Sequence, residues 1–321
     1  MDQFYCGVDI GGTKCAIALI DAEGRIVDKS YTHNHVEEKT EDGMVGMIAA
    51  RIRELLQRNK LKDSDVPGIG IGCAGHIRYE DGLIITTSNF EGFKGYPLRD
   101  AFQKYFETPV LLDNDTNVQA LGEYRFGAGK GIDDMIFVTV STGIGAGLIL
   151  NGRLYRGVTG TAGEIGHSIV EPESELRCSC GNKGCLMAVA CGMALPYLFE
   201  KYLKKGVETK IPMPADFDIS RVNGQTLKRG LDSDDPLSKA VISDAARYVG
   251  IGLYNVWQTL NPSLIVLGGG LTNWGDFYLD KIRRTFDSYA RDMVFDPVEI
   301  CISHIVGDAG VIGAAALTMP D

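Results

Sequence analysis

Apolar and polar positions alternate over residues 4–10, break at a glycine-rich turn between Asp9 and Lys14, and resume over residues 15–20. Alternation with a period of two on both sides of a turn predicts a strand that folds back on itself, and residues 25–32 supply a third strand. Over residues 44–58 (MVGMIAARIRELLQR) the apolar spacing becomes that of an amphipathic helix. Residues 68–73 and 109–113 are apolar runs of buried-strand length, with a helical stretch near 97–106 between them. A helix from Val118 to Phe126 is expected after Asn117.

The opening pattern then recurs. Residues 135–141 and 145–151 form a second apolar–glycine–apolar unit, so the chain contains two strand–turn–strand units on one plan. Such a repeat predicts two lobes with an active site between them. Further along, residues 205–235 are polar and irregular, as expected of a surface segment, and residues 236–260 predict a long helix. A buried strand over 263–267 ends in Gly268-Gly269-Gly270, followed by a helix near 275–290 and a strand near 298–304. Gly313 to Leu317 predicts a small-residue helix able to pack closely against the first lobe. The expected fold is α/β, with residues 1–117 and about 305–321 as the N-terminal lobe and residues 118–304 as the C-terminal lobe.

Composition narrows the class without naming it. The 321 residues are 45% apolar and 23% charged, enough for a large core that needs no disulfide support. A formal charge of -10 argues against nucleic acid as a partner, because such binders carry a basic face. No basic segment leads into an apolar run at the N-terminus, and no apolar stretch reaches about 18 residues. Of the eight cysteines, three fall within residues 178–185 and the others stand singly in apolar stretches, which is metal-site usage with buried thiols. The expected location is the cytoplasm.

Four segments carry candidate chemistry. Asp9-Ile-Gly-Gly-Thr-Lys14 follows a strand; its glycines let backbone amides approach an oxyanion, Thr13 and Lys14 add donors, and Asp9 could orient Mg²⁺ through water. A simple hairpin turn explains that segment equally well. Ser141-Thr-Gly-Ile-Gly-Ala-Gly147 is a second turn of the same kind. Neither is a Walker loop or a dinucleotide fingerprint, because GxxxxGK[ST] is absent and strands, not helices, follow the glycines. The Gly-rich end at 268–270 offers backbone for a flat adenosine. His167 with Cys178, Cys180 and Cys185 supplies one imidazole and three thiolates, a ligand set suited to a closed, structural Zn²⁺ in a loop over 167–185. A metal there would orient His167 and leave its other ring nitrogen for a ligand. Last, Leu112-Asp-Asn-Asp-Thr-Asn117 ends a strand; Asp115 is placed either to accept a hydroxyl proton in phosphoryl transfer or to cap a helix.

Taken together and in order, VDIGGTK, LDNDTN, STGIGAGL with TAGEIGH, CSCGNKGC, NPSLIVLGGG and GDAGVIGAAAL resemble the motifs of the ROK family (repressors, open reading frames, kinases) over nearly the whole chain. The resemblance implies a two-lobed actin/hexokinase-like, ribonuclease H-like fold and ATP-dependent phosphorylation of a hexose at its 6-hydroxyl, of glucokinase type. Kinases of N-acetylglucosamine, N-acetylmannosamine or fructose are the alternatives, and a non-catalytic sugar-binding regulator is a further one. It implies Asp115 as catalytic base; sugar contacts from Gly75, Asn89, Asn114, Asp115, Glu164 and His167; and ATP and Mg²⁺ contacts from Asp9, Gly11, Gly12, Thr13, Lys14, Thr142, Gly143 and Gly269. Expected partners are sugar, ATP and a second copy of the chain in a homodimer, with no nucleic acid and no membrane. The DNA-binding segment of family repressors has no room before a phosphate motif that begins at residue 7. One position departs from the pattern: after Gly184-Cys185-Leu186 the family usually places a glutamate, and this chain has Met187, a weak hydrogen-bond acceptor.

Overall fold

A computed structural model of the chain describes residues 3–12, 14–33, 41–87, 92–214, 216–291, 298–305 and 307–320. Two compact units result: Met1–Phe137 with Gly147–Gly163 and Ser303–Asp321, and Val138–Ala146 with Glu164–Ile302.

The first unit opens with β1 (Tyr5–Ile10), β2 (Lys14–Ile20) and β3 (Ile26–His33), followed by α1 (Glu41–Arg58), β4 (Ile69–Cys73), the short hairpin β5 (His76–Arg78) and β6 (Leu83–Thr86), α2 (Leu98–Gln103), β7 (Val110–Asn114) and α3 (Asp115–Phe126). Its sheet has the order β3-β2-β1-β4-β7. β1 runs antiparallel to β2 and parallel to β4, and β4 runs parallel to β7. Three strands therefore end at the same edge, the edge where open α/β sheets bind ligands. The core on one side is built by Val8, Ile10, Ile48, Ile52, Ile71 and Phe102, all buried.

The next strands are β8 (Met135–Val140), β9 (Ile144–Leu150) and β10 (Arg153–Tyr155). In the second unit follow α4 (Leu186–Ala190), α5 (Leu195–Lys204), α6 (Gly224–Asp232), α7 (Pro236–Leu260), β11 (Leu264–Gly268), α8 (Asp276–Ala290) and β12 (Glu299–Ile302). The second sheet has the order β10-β9-β8-β11-β12, with β11 parallel to β12. Helix α9 (Ala309–Ala316) returns the chain to the first unit.

The small residues of α9 explain how that unit holds α3 in place. Gly7 and Gly70 are register partners on β1 and β4. A Cβ on Gly7 would lie 2.0 Å from the Val311 carbonyl oxygen, and one on Gly70 would lie 1.8 Å from that of Ala314. On its other side a Cβ on Gly313 would lie 1.6 Å from the Val118 carbonyl oxygen of α3. Sheet, α9 and α3 thus meet backbone to backbone, a spacing that only residues without side-chain bulk permit.

Three sequence expectations need correction. Helix α3 starts at Asp115, not Val118, because Asn114 caps it by accepting from the Thr116 and Asn117 amides. The hairpin β5–β6 was not expected, since its apolar runs are too short to stand out. Residues 205–235 are not wholly irregular: Asn223 caps α6, whose buried face is supplied by Leu227 and Gly230. Among the described residues no helix is long and apolar enough to cross a membrane.

Candidate active site

In the first unit the parallel strands deliver the site residues. Asp9, Gly72 and Asp113 form one row across β1, β4 and β7, and Ile10, Cys73 and Asn114 form the next. Beyond that row lie Gly75 and Asp115. Asn114 ties the strand ends together: its Oδ1 accepts from the Thr116 amide at 2.8 Å and the Asn117 amide at 3.2 Å, while its Nδ2 donates to the Gly75 carbonyl at 2.8 Å. Asp115 is consequently the first residue of α3, with Oδ1 accepting from the Thr116 amide at 2.9 Å. A helix N-terminus favours negative charge.

Asp9 is held differently. Burial pushes its carboxyl up to about 7, the Asp115 charge pushes the same way, and Lys29 opposes both. Lys29, on β3, pairs with Asp308, and its Nζ lies 4.7 Å from the centre of the Tyr31 ring. The carboxylate of Asp9 also abuts the first turn of α9, where a Cβ on Gly310 would lie 2.2 Å from its Oδ2. The neighbouring Cys73 thiol is raised well above its ordinary value by burial and then by the Asp115 and Asp9 charges. Two carboxylates therefore act on the same strand ends. The adjoining turn contains Gly11, whose amide donates to the Lys14 carbonyl at 3.0 Å, and the exposed Gly12; Lys14 is the first residue of β2, its side chain exposed. Thr13 and Asn89 lie outside the described residues.

In the second unit, Ser141, Thr142 and Gly143 join β8 to β9. Their turn is fixed by the Gly192 amide, which donates to the Ser141 carbonyl at 2.7 Å. Gly269 has φ of 88°, and a Cβ there would lie 2.5 Å from the Val140 carbonyl oxygen, so β11 turns away in close contact with β8. Beside these turns a cavity of about 1270 Å³ is lined by Thr142, Met193, Asn223, Lys228, Leu271 and Asn273, among others. Its lining residues are largely polar, with Arg221, Lys228 and Arg229 beside the apolar Met193 and Leu271, a mixture that suits a polar organic ligand.

Glu164 and His167 flank a short helical turn, and His167 Nε2 lies 3.7 Å from Glu164 Oε2. The other ring nitrogen, Nδ1, faces Cys178 Sγ at 3.3 Å, and the sulfurs of Cys180 and Cys185 are 3.7 Å apart. All four ligand atoms lie within 4.8 Å of one another. Tetrahedral bonds of about 2.3 Å to sulfur and about 2.0 Å to nitrogen separate the ligands by about 3.5–3.8 Å. The group thus has both the chemistry and nearly the spacing of a four-coordinate metal centre, and it leaves Nε2 on the Glu164 side.

Sequence reasoning missed Lys29, Asp308 and Arg156. Arg156 Nε donates to Asp113 Oδ2 at 2.7 Å across 43 positions of chain. No local spacing announces such a pair; the only signal was Asp113 itself, an acidic residue inside an otherwise buried strand.

These arrangements have counterparts. The ROK family model matches residues 5–320. A glucokinase of Halalkalibacterium halodurans is 35% identical, covering 98% of this chain and 95% of its own length. The xylose repressor of Caldicellulosiruptor bescii is 29% identical over 98% of this chain and 78% of its own. Among solved structures, a ROK family glucokinase from Streptomyces griseus in complex with glucose and AMPPNP superposes with a TM-score of 0.81 at 32% identity, covering 99% of both chains. With its strand-end carboxylates, paired glycine turns and Cys–His group, the chain belongs to the ROK family.

Proposed function

We propose that this protein transfers the γ-phosphoryl group of ATP to the 6-hydroxyl of a hexose, with glucose as first candidate. The observation that carries the chemistry is Asp115 at the N-terminus of α3, beside a turn fixed by Asn114. The similarity to glucokinases supports the sugar class.

In this reading the Asp115 carboxylate accepts the hydroxyl proton as the sugar oxygen bonds to the γ-phosphorus and the bond to the β–γ bridging oxygen breaks, releasing ADP. Gly75, Asn89, Asn114, Glu164 and His167 orient the sugar. Gly11, Gly12, Thr13, Lys14, Thr142, Gly143 and Gly269 hold the nucleotide, whose adenosine fits the cavity beside Thr142 and Leu271. Mg²⁺, when bound, neutralises charge on the transferred phosphate. Asp9, as a carboxylate, would hold its water shell.

The Cys–His group is assigned to Zn²⁺. Its donor set, one imidazole and three thiols, fits that ion and leaves no open position. Ligation of a metal through Nδ1 would fix the proton on Nε2 and make His167 a donor for a sugar hydroxyl.

A coupled assay of ADP release over glucose, fructose, mannose, N-acetylglucosamine and N-acetylmannosamine tests the reading. Turnover with glucose and weaker turnover with the N-acetyl sugars is the expected result. Sugar binding without ADP release would identify a sensor instead.

A further inference from the structure

Asp113 lies beside the proposed base and is only 1% exposed. A buried carboxylate needs both hydrogen bonds and a counter-charge. Its Oδ1 accepts from the Asn114 amide at 2.7 Å and from Asn117 Nδ2 at 2.8 Å, so that oxygen is bound to the turn that carries Asp115. Its Oδ2 accepts from Arg156 Nε at 2.7 Å. Arg156 follows β10, and its guanidinium carbon Cζ lies over the Tyr79 ring, 3.8 Å from the ring centre, beside the β5–β6 hairpin. The same loop is seated on that hairpin at Gly160, where a Cβ would lie 2.4 Å from the Ile77 carbonyl oxygen.

We infer that Arg156 is a positioning residue for phosphoryl transfer. It neutralises Asp113 and so fixes the turn from Asn114 to Asn117, and with it the carboxylate of Asp115; Tyr79 in turn holds the guanidinium. The inference rests on the reading of Asp115 as base. Arginine is the residue this place requires, because a planar guanidinium can donate from Nε while its face stacks on a ring, and an ammonium cannot do both. Without Arg156 the Asp113 charge is buried and unpaired. The turn then relaxes toward solvent, and a shift of about 1 Å at a reacting group costs on the order of a hundredfold in rate.

The test uses R156M, R156K and the double variant R156M/D113N, with D115N alongside. The expected kcat of R156M is roughly ten- to a hundredfold lower, with KM for ATP within about twofold of wild type. R156K, which keeps the charge and loses the stacked fork, is expected to recover only part of the rate. Adding D113N removes the unpaired charge, so the double variant should be no slower than R156M alone. Should R156M fail to fold, R156K decides: a kcat reduced at least about threefold at an unchanged melting temperature supports the inference. A wild-type kcat in R156M or R156K overturns it, as does a rate loss accompanied by an equal rise in KM for ATP. Turnover at the wild-type rate in D115N overturns the base assignment and this inference together, whereas a D115N slowed at least about a hundredfold beside a fully active R156M overturns this inference alone.

Discussion

Asp9 and Asp115 act on one another as like charges at the ends of strands separated by β4, and burial together with that repulsion lifts the Asp9 carboxyl to about 7. A folded value above the ordinary carboxylate value of about 3.9 means that the folded protein binds the extra proton. Its stabilising effect is complete below about pH 4 and is lost as pH rises toward 7. Asp9→Asn should therefore raise the melting temperature of the ligand-free protein above pH 7, with a gain that shrinks between pH 7 and pH 4. The same substitution should abolish Mg²⁺-dependent turnover. A melting-temperature difference that does not vary with pH would contradict the account.

The Cys–His group predicts one zinc per chain by elemental analysis. Cys180 is the exposed member of the group, so Cys180→Ser alters it with the least change to packing. Metal affinity is expected to fall at least about tenfold and KM for sugar to rise, because His167 loses its fixed orientation. Full metal content in that variant would exclude Cys180 as a ligand.

Met187 lies in α4, and its Sδ is 3.2 Å from the point a Cβ on Gly143 would occupy. A thioether thus stands beside the turn that joins β8 to β9, at a position where the resemblance leads one to expect a carboxylate. A glutamate is favourable in the first turn of a helix, so Met187→Glu should fold. A charged acceptor adds roughly 1.5–3 kcal/mol of hydrogen bonding, which lowers KM for glucose about ten- to a hundredfold. Unchanged glucose kinetics would remove position 187 from the sugar site.

The backbone packing of β4 on α9 predicts that Gly70→Ala is costly out of proportion to its size. The added carbon would lie 1.8 Å from a carbonyl oxygen that cannot swing aside as a side chain could. Overpacking of this kind costs about 1–3 kcal/mol. Calorimetry should show a melting temperature lower by several degrees.

Much of this architecture is legible in the sequence because β1, β2, β4 and β7 of the first sheet are mainly apolar runs that end at glycine or a polar cluster. The small-residue pattern of α9 likewise announced a close approach. The start of α3 was not legible: Asp113, Asn114 and Asp115 are all good caps, and only the backbone shows that Asn114 takes the role while Asp113 is buried. Helix α6 was hidden because its exposed residues outnumber the few that pack. The Arg156–Asp113 pair was beyond reach, since it depends on a loop returning to a strand end from a distant part of the chain. Motif spacing thus pointed to the groups proposed to touch ligands, whereas the residues that hold those groups in place emerged from the fold.

The central claim is that Asp115 takes the proton of the sugar hydroxyl. Asp115→Asn preserves shape and the oxygen that accepts from the Thr116 amide but cannot accept that proton at neutral pH. Calorimetry should find sugar affinity within a few fold of wild type, while the coupled assay finds kcat lower by roughly 10²–10⁴-fold. An Asp115→Asn protein that binds sugar and releases ADP at the wild-type rate would contradict it.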